Sequence, residues 1–160
     1  MSFNHFNSAG QAIMVDVSQK EPTLRTAVAA AEVLLTPEIV AAIQAGITGK
    51  GDVLGIARLA GIAAAKKTPD LIPLSHPLAL HHVSLDFKVT SAAGRIEATA
   101  TVKAFERTGV EMEAMTAAAV AALTIYDMCK GSDKGIRIEN IRLLYKEGGK
   151  SGIYRRQDAP

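Results

Sequence analysis

Gly49-Lys50-Gly51-Asp52 sets a lysine between two glycines, which permit a tight backbone and close approach of a ligand. The loop leads into a run of helical character, and a helix N-terminus favours anions. Lys50 is therefore placed to meet an anionic small molecule. An ordinary surface lysine would look the same locally, and the GxxxxGKS/T phosphate loop is absent. Asp127 and Lys130 are three residues apart, share a helix face and can interact. They read either as a solvated surface pair or, given Ile125 and Tyr126 beside them, as a partly buried pair of the kind whose pKa values shift. His76 lies between Ser75 and Pro77. The proline restricts the backbone, so the imidazole serves either its own loop or a substrate. Glu111, Met112 and Glu113 precede a long apolar run. In an extended segment the two glutamates face one side and offer acceptors to ligand donors; acids at a helix start are also favoured by the dipole alone.

The elements that must position these groups follow from pattern and punctuation. Ala12 to Val17 suggests a short strand. Leu24–Leu35 is ambiguous in period and is assigned as strand because Thr36-Pro37 follows at once, an N-cap and a first-turn proline for a helix ending near Ala45 and Gly46. Asp52 can cap a helix over Val53–Lys66. Pro69, Pro73 and Pro77 predict a fixed loop up to His76. Val83, Leu85, Phe87 and Val89 alternate with polar residues, as do Ile96, Ala98, Ala100 and Val102 after the Ala92-Ala93-Gly94 turn, predicting an antiparallel pair. A long helix is predicted over Thr116–Lys130, and a last strand over Ile136–Tyr145 with an irregularity near Asn140. The expected class is α+β, with helices over a mostly antiparallel sheet. From Glu113 to Asp127 an all-helical path would cover about 21 Å at roughly 1.5 Å per residue. One small catalytic centre cannot easily contain both from one chain: either the two ends contact opposite parts of a long ligand, or different subunits supply them.

Composition excludes several classes. The 160 residues fit one domain, with 48% apolar residues but only four Phe, three Tyr and no Trp, so the core must be aliphatic and close-packed. A formal charge of +2 is too small to imply a nucleic-acid partner. The single cysteine, Cys129, forbids an internal disulfide and points to a reducing, cytoplasmic setting. The N-terminus lacks the basic and apolar regions of a secretory signal, and no uncharged apolar stretch reaches the roughly 20 residues a bilayer needs. His81 and His82 would point to opposite faces of a strand, and neither CxxC nor HExxH occurs, so no protein-held metal is expected.

Four stretches carry a resemblance: MVDVSQK at 14–20, KGDVLGIARLAGIAAAKKTPDLIPLSHPL at 50–78, TGVEMEAMTAAAVAALTIYDMCK at 108–130 and GGKSG at 148–152. In this order they closely resemble the cyclic pyranopterin monophosphate synthases, the molybdenum cofactor biosynthesis protein C family. The resemblance implies a ferredoxin-like fold and a homohexamer built as a trimer of dimers with active sites at subunit boundaries. It implies a lyase turning (8S)-3',8-cyclo-7,8-dihydroguanosine 5'-triphosphate into cyclic pyranopterin monophosphate and pyrophosphate. No cofactor is implied; a free magnesium ion on the triphosphate is compatible with it. Lys50, Asp127 and Lys130 become catalytic residues. Leu74, Ser75, His76, Glu111, Met112 and Glu113 become substrate contacts, and Arg25, Lys66, Lys67 and Lys150 candidates for phosphate. Residues 13–155 would be one catalytic domain between a flexible arm, 1–12, and a flexible tail, 156–160.

Two departures stand out. Ser75 occupies a place where many members have Cys, and Glu106-Arg107 one where many have Gly-Lys. Arg keeps the charge but not lysine's shape, and Glu106 must turn away from any phosphate. The rival reading is a noncatalytic nucleotide-binding or assembly module of the same fold, since folds host many functions.

Overall fold

In the computed structural model the described residues are 5–49 and 51–157. The elements in chain order are β1 (Thr23–Leu34), α1 (Pro37–Ala45), α2 (Val53–Ala65), α3 (Thr68–Leu71), β2 (Leu80–Thr90), β3 (Arg95–Glu106), α4 (Glu111–Cys129), β4 (Arg137–Glu147) and β5 (Tyr154–Arg155). The strands make one antiparallel sheet in the order β2-β3-β1-β4-β5. This is an α+β arrangement with helices on the sheet, as the alternation of strand and helix patterns predicts.

The local signals act where expected. Thr36 caps α1 by accepting a hydrogen bond from the Ile39 amide, Pro37 occupies its first turn, and Gly46 ends it. Asp52 caps α2 through the Gly55 amide, 2.8 Å away. β2 and β3 pair from Thr90↔Arg95 back to Leu80↔Ala104, longer at both ends than the alternation alone delimits. The ambiguous alanine-rich segment is strand, and it is the central one, with β3 on one edge and β4 on the other.

Three expectations are corrected. No strand forms over Ala12 to Val17; a single bridge, Phe6↔Ala12, touches that segment. The edges of β1 are already occupied, so this segment finds no partner there. The proline-rich loop contains one helical turn, α3, because Pro69 sits in its first turn, where a missing N–H costs nothing. Finally, α4 begins at Glu111 rather than Thr116. Glu and Met are good helix formers, and acids suit the positive end of the dipole. No side chain caps it at Val110, so no start signal marks the boundary.

The core lies between one face of the sheet and the helices α2 and α4. Ala117, Ala118, Ala121, Ala122 and Ile125 of α4 are fully buried against Ala31, Val33, Ile96, Ala98 and Ala100 of the sheet. Small side chains on both surfaces let the backbones approach closely, which replaces aromatic bulk with contact. α4 is long and apolar enough by length and composition to cross a membrane, but its alanine stripe is spent on this packing. On the other face Glu32 and Glu97 stand directly opposite each other. Arg142 offsets their repulsion, with Nη1 3.2 Å from Glu32 and Nη2 2.7 Å from Glu97. Asn140, at φ 54, lies at the expected irregularity and donates to Glu32 at 2.9 Å.

Gly61 marks the tightest part of the helix packing. A Cβ there would lie 2.9 Å from the Ala117 carbonyl oxygen and 3.1 Å from Leu85 Cγ. A helix carbonyl cannot yield, so Gly61→Val should lower stability by about 1–3 kcal/mol. Thermal melting measures this, and an unchanged midpoint would show that α2 can lift from α4 freely.

Candidate active site

Two adjoining cavities form a cleft at the N-terminal end of α4. The larger, about 760 Å³, gathers the cations Lys20, Arg25, Arg107, Lys146 and Lys150. The smaller, about 400 Å³, is lined by Leu74, Ser75, His76 and Met112. Lys20, Thr108, Gly109 and Glu111 border both. β1 supplies Arg25 and β4 supplies Lys146, the segments before β1 and after β3 and β4 supply Lys20, Arg107 and Lys150, α4 supplies Glu111, and the loop after α3 supplies the imidazole.

Several of these groups have defined partners. Glu111 accepts from Lys146 Nζ at 2.7 Å, and Lys146 also donates to Ser151 Oγ at 3.1 Å. The pair is only about a quarter exposed, at 27% and 25%. His76 Nε2 lies 2.7 Å from the Val15 carbonyl oxygen. A carbonyl only accepts, so Nε2 carries the proton and Nδ1 is left as the acceptor of the neutral ring. Arg25 is buried, and donates Nε to the Glu106 carbonyl at 3.1 Å and Nη2 to the Arg107 carbonyl at 3.2 Å. The loop after β4 wraps this guanidinium. Side chains at Gly148 or Gly149 would run into Leu24 or Arg25, and both glycines have positive φ, 100° and 72°. Glu106 accepts from the Ala79 amide at 3.2 Å and lines neither cavity, so its charge is turned away as expected.

Glu113 differs from Glu111 because α4 is already helical here. The two do not share one extended face: Glu113 turns inward and is 2% exposed, and among the described residues its Oε1 has no hydrogen-bond partner. Burial pushes its pKa up from 4.5 to about 7, and the nearby Glu111 charge adds to the rise.

A second group sits at the opposite end of α4. Lys130 Nζ donates to Asp127 Oδ1 at 2.6 Å, with side chains 53% and 65% exposed. The pair is on the surface, not partly buried, because the buried stripe of α4 runs through Ala121, Ala122, Ile125 and Cys129. The hydrogen bond and charge of Asp127 raise the Lys130 pKa, so it stands as an ammonium. A cavity of about 260 Å³ joins this helix end, through Met128, Cys129, Gly131 and Ser132, to Thr48 and Gly49. Lys50 itself lies outside the described residues. Lys66 and Lys67 are exposed beyond the end of α2 and line neither part of the cleft; Lys67 pairs with Asp70 at 3.3 Å. One chain thus brings His76, Glu111, Met112, Arg25 and Lys150 together, and leaves Asp127 and Lys130 at the far end of the helix. Among the described residues no cluster of His, Cys, Asp and Glu could hold a metal.

Lys20 and Lys146 are cleft cations that the residue pattern does not single out, whereas Arg107 stands out there only as a departure from the family. Lys20 ends the MVDVSQK stretch and Lys146 precedes GGKSG, so position beside those stretches is the signal available.

The Glu113 shift makes stability depend on pH. Between 4.5 and about 7 the folded chain holds a proton that the unfolded chain has released. The stabilisation is full below about pH 4.5 and is lost as pH rises through about 7, by at most about 3 kcal/mol. Glu113→Gln lacks this loss. Melting the two proteins from pH 5 to pH 8 should show the variant gaining steadily on the parent. A difference that stays constant across the range would mean that Glu113 is already ionised at pH 5.

Residues 14–149 match the MoaC family. Cyclic pyranopterin monophosphate synthases from Pelobacter propionicus and Geobacter sulfurreducens are each 70% identical to this chain over 158 residues, covering 99% of both sequences. That of Methylobacterium nodulans is 54% identical over 158 residues, with the same coverage. Most cleft-lining residues fall inside the matched range, with Lys150 and Ser151 just beyond its end, and the chain belongs to the MoaC family.

Proposed function

We propose that the cationic cleft holds the triphosphate and base of (8S)-3',8-cyclo-7,8-dihydroguanosine 5'-triphosphate, which this enzyme converts to cyclic pyranopterin monophosphate and pyrophosphate. The lyase activity is that of the family, and the convergence of five cations beside Glu111 and His76 is the observation that supports the cleft as its substrate site. In the phosphorus–oxygen step a substrate hydroxyl oxygen attacks the α-phosphorus and loses its proton to a base. The bond to pyrophosphate breaks, and the leaving group departs with the electron pair. Lys20, Lys146 and Lys150 are suited to hold phosphate oxygens as their charge shifts. Arg25 has two donor positions committed to backbone carbonyls and supports the site from below. Glu113, poised near neutrality, matches ring N–H donors; such donors would draw it into its ionised form.

Asp127, Lys130 and Lys50 are the proposed catalytic residues. As an ammonium, Lys130 is suited to give a proton or to stabilise charge rather than to act first as base. Glu113 and Asp127 share one helix and lie about 21 Å apart by helical rise. The complete site is therefore assembled from two chains, the cleft of one meeting the α4 C-terminus of another. A homohexamer, a trimer of dimers, is the assembly proposed, in the cytoplasm and with no resident cofactor. Magnesium, where present, would travel on the triphosphate. The fold reading that accompanies this is ferredoxin-like, with residues 13–155 as the catalytic domain.

Turnover with the 3',8-cyclised dihydro-GTP, followed through pyrophosphate and the oxidised fluorescent pterin together, tests the reaction. Both products should form with the parent and neither with Lys50→Ala. Binding without product would favour a noncatalytic module. The shared site is tested by co-assembling Lys130→Ala and Lys146→Ala subunits, each inactive alone. Random pairing should restore roughly a quarter of the parent rate. No recovery in verified mixed assemblies would place both ends in one chain's site.

A further inference from the structure

Residues 13–20 cross the cleft as a strap without helix or strand. Val15 and Val17 face the smaller cavity, Gln19 faces the larger, and Lys20 borders both. Its own turns shape it: the Ser18 amide donates to Asp16 Oδ1 at 2.8 Å, and the Lys20 amide to the Val17 carbonyl at 3.0 Å. Among the described residues two hydrogen bonds fasten its backbone to the body. One joins His76 Nε2 and the Val15 carbonyl, and in the other Arg107 Nη1 donates to the Ser18 carbonyl at 2.8 Å. Both holders line the cleft that the strap covers. A segment that spans an opening with no ladder of backbone bonds belongs to the parts of a protein that open at low free energy.

We propose that Arg107 is a positioning residue: its guanidinium holds the strap at Ser18 and thereby sets the Lys20 ammonium in the cleft. This rests on the assignment of the cleft as substrate site. The bond from Arg107 is charge-assisted, stronger than a neutral one. The guanidinium is a planar fork with five donors, so one N–H spent on Ser18 does not exhaust it. The turn from Val17 to Lys20 links the held carbonyl to the ammonium two residues on. Without the tether, substrate must order the strap on binding, and that cost falls on affinity.

The test combines amide hydrogen exchange of the ligand-free protein with steady-state kinetics on the cyclised triphosphate. Arg107→Ala should speed exchange across residues 14–19 about tenfold, the scale of one lost hydrogen bond, and leave the sheet and α4 unchanged. KM should rise by about tenfold while kcat stays within about twofold, as for an interaction equal in ground and transition states. Arg107→Lys should restore most of both. Lys20→Gln should raise KM and leave exchange at the parent rate. The double variant should be no worse than the weaker single one, because both act through one contact. Unchanged exchange in Arg107→Ala would overturn the proposal. So would additive KM effects, which would make Arg107 a direct substrate contact. A parent that yields no product would overturn the lyase reading instead, and the exchange comparison would still decide whether Arg107 holds the strap.

Discussion

The close contact between the alanine face of α4 and the sheet is the constraint on which the rest of this structure depends. Four alanines and Ile125 leave no room for adjustment, and Gly61 lets α2 press against the same helix. α4 is therefore a fixed rod, and both of its ends carry candidate site residues. Its first turn places Glu111 toward Lys146 and buries Glu113, while its last turn displays Asp127 and Lys130 to solvent. The separation between these ends is a consequence of helix geometry, and no side-chain movement can close about 21 Å. The proposed site shared between subunits rests on that rigidity.

Charge in the cleft is organised by what is left unpaired. Arg25 is buried but spends its donors on the carbonyls of Glu106 and Arg107, and so anchors the end of β3 and the Gly148-Gly149 turn. Lys146 is neutralised by Glu111 in the absence of ligand. Under the proposed function, a polyphosphate entering here would compete with a carboxylate for that ammonium. Glu113 is the opposite case, a carboxyl with an unsatisfied oxygen and a raised pKa. A buried acceptor without a partner in the resting protein is costly, and a ligand donor would relieve the cost. The two glutamates, two positions apart, thus differ in environment chiefly through burial.

The far face of the sheet uses charge for another purpose. Glu32 and Glu97 would repel across β1 and β3, yet Arg142 from β4 bridges them and Asn140 adopts a left-handed backbone to reach Glu32. The network crosses three strands and pins their register at the end where β1 passes into α1. The cleft lies at the other end of β1, where Arg25 performs the matching task, so the central strand is held by arginines near both ends.

Much of this was legible from the chain alone. Alternation delimited β2 and β3, Thr36-Pro37 and Asp52 announced two helix starts, and the motif stretches pointed to the family, because period, caps and short motifs act within a few residues. The start of α4 was not legible, since Val110 provides no cap, and the extended reading of Glu111 to Glu113 failed with it. Nor could local pattern tell that Ala12 to Val17 would find no strand partner, that Asp127 and Lys130 would be exposed, or that Lys20, Arg107 and Lys146 would meet. Those outcomes depend on strand order and on which helix stripe is buried. Such facts join residues as far apart as Ser18 and Arg107, and only the packing of the whole chain decides them.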